Sequence, residues 1–178
     1  MMTRWTGTLL LALVTGALLT GCAPDASEPT PTPSFSSDED AFAAAEATYR
    51  AYVDALNQVD LSDPATFEPV YAWTTGEANA NERKSLSQMS ADGWQVEGDT
   101  VVASFLRPTA PSTDSPTAAV VCSDVSRVEV VDSGGTSVVP DARPDVYALS
   151  VTFVPEPDAE FGLKISSSNA VEDDRCGP

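Results

Sequence analysis

The hydrophobic periodicity of this chain changes once, near Trp94, and that change constrains the fold more than any other feature. Before it, apolar residues recur every three to four positions. Phe42, Ala45, Tyr49, Tyr52, Val53 and Leu56 share one helical face. Ser37 stands ahead of that stripe as a capping residue, and Asp38, Glu39 and Asp40 put negative charge where the helix macrodipole favours it. The spacing predicts a helix over 38–59. Ser62-Asp63-Pro64 restarts a helix, with proline tolerated in its first turn; Phe67, Val70 and Tyr71 supply its apolar side and Pro69 keeps it short. Thr74 and Glu77 have the spacing of a capping box for a third helix, which carries Ala78, Leu86 and Met89 and ends near Gly93.

Beyond Trp94 the residues read as strands: Asp99–Arg107, the long β-rich run Thr117–Asp132, Asp145–Val154 and Glu160–Ser166. Ser133-Gly134-Gly135 reads as a hairpin turn into Thr136–Val139, and Pro140 and Pro144 break the pattern before it resumes. A helical block followed by a β block, in a chain this short, shares one core. The predicted class is α+β: about three N-terminal helices packed on a curved antiparallel sheet of about four strands, one domain over 38–178.

The N-terminus carries an address. One positive charge, Arg4, precedes an apolar run from Leu9 to Leu19 that ends in Leu19-Thr20-Gly21-Cys22. Basic start, short apolar run and small residue at the cut describe a secretory signal peptide over 1–21. The run is too short and too interrupted by Thr15 and Gly16 to span a bilayer, which needs about 20 apolar residues. Its last four residues resemble the lipobox of bacterial lipoproteins. That resemblance implies cleavage before Cys22 and attachment of lipid, palmitate among the acyl chains, to its thiol. The mature chain is then held at the extracytoplasmic face of the cell membrane without crossing it. Residues 22–37 are the lipidated cysteine and a Pro/Ser/Thr-rich tether, spanning about 45 Å when extended at about 3.1 Å per residue.

Three cysteines are present. With Cys22 lipidated, Cys122 and Cys176 form the remaining pair in an oxidising compartment. Closing that loop contributes roughly 4 kcal/mol in the chain-entropy account.

Charge and one absence narrow the chemistry. The chain has 27 acidic and 9 basic residues, a net charge of −18, and loss of the segment holding Arg4 makes it more negative still. Phosphate backbones and anionic headgroups are repelled, so nucleic acid is excluded as a partner. The acids are scattered and read chiefly as solubility, with a cationic partner as the functional alternative. Histidine is absent, which removes the commonest general base, the usual triads and the standard zinc sites.

The order of elements resembles the nuclear transport factor two-like superfamily, whose cone-shaped fold also serves ketosteroid isomerases and scytalone dehydratases. Ala47-Thr48-Tyr49-Arg50-Ala51-Tyr52, Tyr71-Ala72-Trp73, Val121-Cys122-Ser123-Asp124-Val125 and Cys176 are similar to small extracytoplasmic lipoproteins of high-G+C Gram-positive bacteria. The superfamily holds both enzymes and binding modules, so fold does not fix function. What the resemblance implies is a pocket between the first helix and the concave sheet, lined by Tyr49, Tyr52, Trp73, Trp94, Phe105 and Tyr147. At helical and strand spacing those residues read equally as core, and more often are.

Two functions remain. The first is a non-enzymatic module binding a protein partner or a small apolar ligand. The second is an isomerase or dehydratase using carboxylate and tyrosine groups, with Asp54 and Asp124 as the acids beside Tyr49. Glu172-Asp173-Asp174 lacks the loop that shapes a calcium site and reads as a solvated tail. No catalytic residue, cofactor or metal is assigned, and the binding module is the preferred reading.

Overall fold

The computed structural model describes residues 35–109 and 117–177; Cys22, the signal segment and most of the tether lie outside the described residues. Helix α1 is Asp38–Leu56, capped by the Ser37 hydroxyl, which accepts from the Asp40 amide at 3.1 Å. It ends three residues before the expected boundary because Asn57 has another task. Its side-chain amide donates to the Thr100 carbonyl at 2.9 Å and accepts from the Thr100 amide at 3.0 Å. That reciprocal pair satisfies the backbone of Thr100 and ties the end of the helix to the start of the sheet.

A 3-10 turn over Pro64–Phe67, opened by the Asp63 carboxylate, runs into the short helix α2, Glu68–Tyr71. Helix α3 is Gly76–Ala91. Its cap is Thr75 with no side-chain hydrogen bond, so the expected Thr74–Glu77 capping box does not form. Thr74 is buried instead, and its hydroxyl accepts from the Asn79 side chain at 2.9 Å. The far end of α3 closes as the sequence predicts. Gly93 takes a left-handed φ of +69°, its amide bonds Ser90, and the Trp94 amide bonds Met89. This paired bonding folds Trp94 back onto Met89.

The strands form two sheets, both antiparallel. A two-stranded ribbon joins β1, Gln95–Glu97, to β4, Glu129–Val131. The main sheet contains β2, Val101–Leu106, β3, Thr117–Asp124, β5, Val146–Pro155, and β6, Leu163–Val171, in the order β2-β3-β5-β6. The run expected as one strand over 117–132 therefore divides at Val125–Val128, and its two halves serve different sheets. Val125 donates to the Asp145 carbonyl and Val128 to the Val125 carbonyl, turning the chain between them. Strand β1 has no counterpart in the sequence-based expectation; three residues are too few to show an alternation.

The main core lies between α1 and one face of the larger sheet. Ala45, Tyr49 and Val53 meet Ala119, Val121, Val151, Phe153, Leu163 and Ile165. A second cluster, Leu61, Phe67, Tyr71 and Leu86, joins the turn after α1 to α2 and α3. The class is α+β, as expected. Val121 faces α1, so Cys122, its neighbour in a strand of period two, points to the opposite face. There it is bonded to Cys176, whose 3-10 turn, Asp174–Cys176, lies against that side. The disulfide connects residues 54 apart, and Cys122 is buried. Reducing it, or replacing Cys176 by Ser, is expected to lower unfolding stability by roughly 2–5 kcal/mol. Urea unfolding with and without reductant measures this; an unchanged midpoint would show that the bridge adds nothing to the fold.

Candidate functional site

The space beneath α1, where the resemblance places a pocket, is largely filled. Phe105 packs in tilted contacts with Phe42 at 5.0 Å, Tyr49 at 6.3 Å and Phe153 at 6.2 Å between ring centres. A cleft of about 170 Å³ remains beside Tyr49, Tyr52, Thr74, Glu82 and Ile165. Of the six aromatic residues expected to share a pocket, the structure brings together Tyr49, Tyr52 and Phe105, with Tyr49 5.6 Å from Tyr52 and 6.3 Å from Phe105 between centres, and Tyr49 and Tyr52 line the cleft. Trp73 stacks on Phe161 away from them, Trp94 belongs to the second cluster, and Tyr147 stands on β5 opposite Ser123. Large side chains on helices and strands have gone to closing the core, the commoner fate of such residues.

The apolar cavity sits elsewhere, between the end of α1, the outer half of α3 and the β1–β4 ribbon. It encloses about 250 Å³. Leu56, Val59 and Leu61 supply one wall, Leu86 and Met89 a second, and Val96, Val128 and Val130 the ribbon side. Gly98 makes this closure possible. Its φ is +82°, and a Cβ there would collide with the Arg127 carbonyl oxygen, so only glycine lets the chain leave β1 and pass beneath β4. Other depressions are larger but more open: about 460 Å³ beside Asp60 and Trp94, about 410 Å³ beside Asp54 and Trp73, and about 870 Å³ along the C-terminal turn.

Glu82 interrupts this apolar lining. It stands on α3 four residues after Ala78 and four before Leu86, both buried, so helical spacing carries its carboxylate inward with them. The Tyr52 hydroxyl donates to its Oε2 at 2.7 Å across the α1–α3 gap. Burial pushes the Glu82 carboxyl above the ordinary 4.5, and the Tyr52 hydrogen bond offsets part of that rise. Tyr52 and Tyr49 are held well above the usual phenol range, first by burial and then by the negative charge of Glu82, so both keep their protons at neutral pH. Glu82 thus faces the 170 Å³ cleft on one side and the 250 Å³ cavity on the other.

The two acids expected to serve an enzyme do not sit here. Asp54 is exposed on the outer side of α1. Asp124 is half-exposed at the end of β3, accepts from the Ser126 amide at 2.9 Å, and is held below the usual carboxylate range by hydrogen bonding to Ser126. In the acidic tail, Arg175 hydrogen-bonds Asp173 and lowers its carboxyl to about 2. Among the described residues no acidic cluster is arranged to hold a metal ion. The sequence did carry a signal for Glu82: a charged residue in register with the apolar stripe of Ala78, Leu86 and Met89.

A raised carboxyl pKa has a definite sign in stability. The folded state holds the Glu82 proton more tightly than the unfolded chain, so stability falls as pH rises from about 4.5 through the folded value. Glu82→Gln keeps an acceptor for Tyr52 without the charge. It is expected to be more stable than the wild type at pH 7, with the difference vanishing below pH 4.5. Urea midpoints of the two proteins across that range test this; a gap that persisted in acid would mean that burial of the Glu82 charge is not its source.

No protein-family model matches the chain, and no curated protein matches it. Among solved structures, the Agrobacterium tumefaciens VirB8 protein is similar over 79% of this chain and 96% of its own, at 13% identity and a TM-score of 0.49. A periplasmic fragment of TraM is similar over 76% of this chain and 98% of its own, at 13% identity and a TM-score of 0.34. Likeness at this level assigns no role to any residue described above.

Proposed function

We propose that this protein is an extracytoplasmic lipoprotein, anchored to the cell membrane through Cys22, whose single domain over 38–178 works by binding and not by turnover. The observation that carries the binding reading is the cavity between α1, α3 and the ribbon. It is concave, apolar over most of its lining, and marked by one inward carboxylate, the pattern of a site that orients a guest. The Cys122–Cys176 bridge supports the compartment, because stable disulfides belong to oxidising surroundings. It also leaves Cys22 as the unpaired sulfur, at the end of a lipobox-like segment. No described helix is long and apolar enough to cross a membrane. The nuclear transport factor two-like architecture remains our preferred parentage for the helices-on-sheet arrangement.

A second reading, acid–base catalysis, now rests on the Tyr52–Glu82 pair in place of Asp54 and Asp124. A tyrosine that keeps its proton beside a carboxylate whose proton affinity is raised has the make-up of a donor–acceptor couple. The two groups, however, satisfy each other at 2.7 Å, and either must release the other before acting on a substrate. That ground-state bond favours binding.

Two measurements address the proposal. Cys22→Ser is expected to leave the membrane fraction while remaining folded; retention in that fraction would rule out the lipid anchor. Photoreactive side chains at Ser85 and Val96, which line the cavity, are expected to capture one recurrent species in intact cells. Background labelling there, beside a recurrent partner captured from another face, would remove the cavity as the site.

A further inference from the structure

The cavity has an asymmetry that apolar contact alone does not explain. Glu82 places a carboxylate at its inner wall, and among the described residues the Tyr52 hydroxyl is its one hydrogen-bond donor. An ionised carboxylate in apolar surroundings is costly unless it is paired, and its two oxygens offer about four acceptor positions. Among the described residues no lysine or arginine lines the cavity to supply a counter-charge. The neighbouring Arg83 is turned away: its guanidinium lies 3.9 Å over the Tyr71 ring, donates to Asn79 at 3.0 Å and approaches Glu68 at 3.7 Å. The chain as a whole carries a net charge of −18, so the field around the opening attracts cations and repels anions.

We propose that the cavity between α1, α3 and the β1–β4 ribbon binds a compact organic cation, a hydrocarbon body carrying one ammonium group, with the ammonium on Glu82 and the body against Leu86, Met89 and Val96. This deepens the binding-module reading and rests on it. Size agrees: about 250 Å³ falls below the roughly 300–1,000 Å³ of drug-sized sites, and suits a single ring or short branched chain. Charge decides the class. An ammonium gives Glu82 a hydrogen bond and neutralises its charge, a hydroxyl gives a hydrogen bond and leaves the charge unpaired, and a carboxylate meets like charge. Tyr52 holds the Glu82 carboxylate from the opposite side, so the free acceptor positions stay directed without a large rotamer cost on binding.

Three probes with one ring and different heads test this on the full-length protein by isothermal titration calorimetry: cyclohexylammonium, cyclohexanol and cyclohexanecarboxylate. The ammonium is expected to bind tighter than the alcohol by about tenfold or more, and the carboxylate to bind most weakly. Glu82→Gln, which keeps an acceptor for Tyr52, is expected to bring the ammonium down to the affinity of the alcohol and to weaken the alcohol much less. Ser85→Lys, at an exposed position on the rim, supplies a tethered ammonium and is expected to abolish binding of the free one. Equal affinities of ammonium and alcohol in the wild type would overturn the cation assignment while leaving an apolar binding cavity in place. So would an ammonium preference that survives Glu82→Gln or Ser85→Lys. Failure of all three probes to bind would overturn the cavity as a binding site together with the cation assignment.

Discussion

The packing of α1 on the middle of the larger sheet is the contact around which the other elements are arranged. Ala45 is fully buried, and its small side chain lets the helix approach closely enough for Tyr49 and Val53 to reach Val121, Val151 and Phe153. Hydrophobic burial contributes about 25 cal/mol per Å² and is non-directional, so the seam by itself does not fix how the helix ends or where the chain goes next. Directional bonds do that. Asn57 holds the backbone of Thr100 at one end, and the Ser37 hydroxyl caps the other. The bridge from Cys122 secures the C-terminal turn on the reverse of the same strand that carries Val121, so β3 is held from both faces.

Once α1 is seated, α3 has to lie beside it, and their shared gap is where the polar cost of the fold collects. Ala78 and Leu86 fill their share of the space, while Glu82 between them brings a charge. A half-buried carboxylate with a single hydrogen bond is less favourable than an aliphatic residue of the same size. Stability alone therefore does not account for Glu82 at this position. Sites that bind tend to retain groups that the fold would be more stable without.

The ribbon completes the cavity at little expense in chain. Three residues on each strand, Val96 facing Val130 across the pair, close the side that α1 and α3 leave open. Gly98 and the turn at Val125–Val128 release these strands from the main sheet, so the ribbon stands apart from the core and presents its valines to the groove. Val96 remains 41% exposed, so the ribbon side of the cavity is open to solvent.

Much of this architecture was legible in the residues themselves. The helical stripe of Phe42 to Leu56, the Ser37 cap, the Gly93 stop and the pairing of Cys122 with Cys176 depend on local spacing or on counting sulfurs, and both survive in one dimension. The division of 117–132 between two sheets was not legible, because Val120 to Val131 reads as one β-rich run. Nor was the Thr74–Glu77 capping box distinguishable from the arrangement found, in which Thr74 is buried and bonded to Asn79. How much of the expected pocket stays open was not legible for the same reason: aromatic residues at core spacing look alike whether they line a void or fill it, and here Phe105 packs in the core while Tyr49 and Tyr52 line the cleft that remains. By itself the sequence determined the class, the helix face and the disulfide, since these follow from short-range periodicity and composition. The tertiary structure alone decided that Glu82 meets Tyr52 at the edge of an apolar cavity, because that encounter joins residues thirty apart through two helices that each pack on the same sheet.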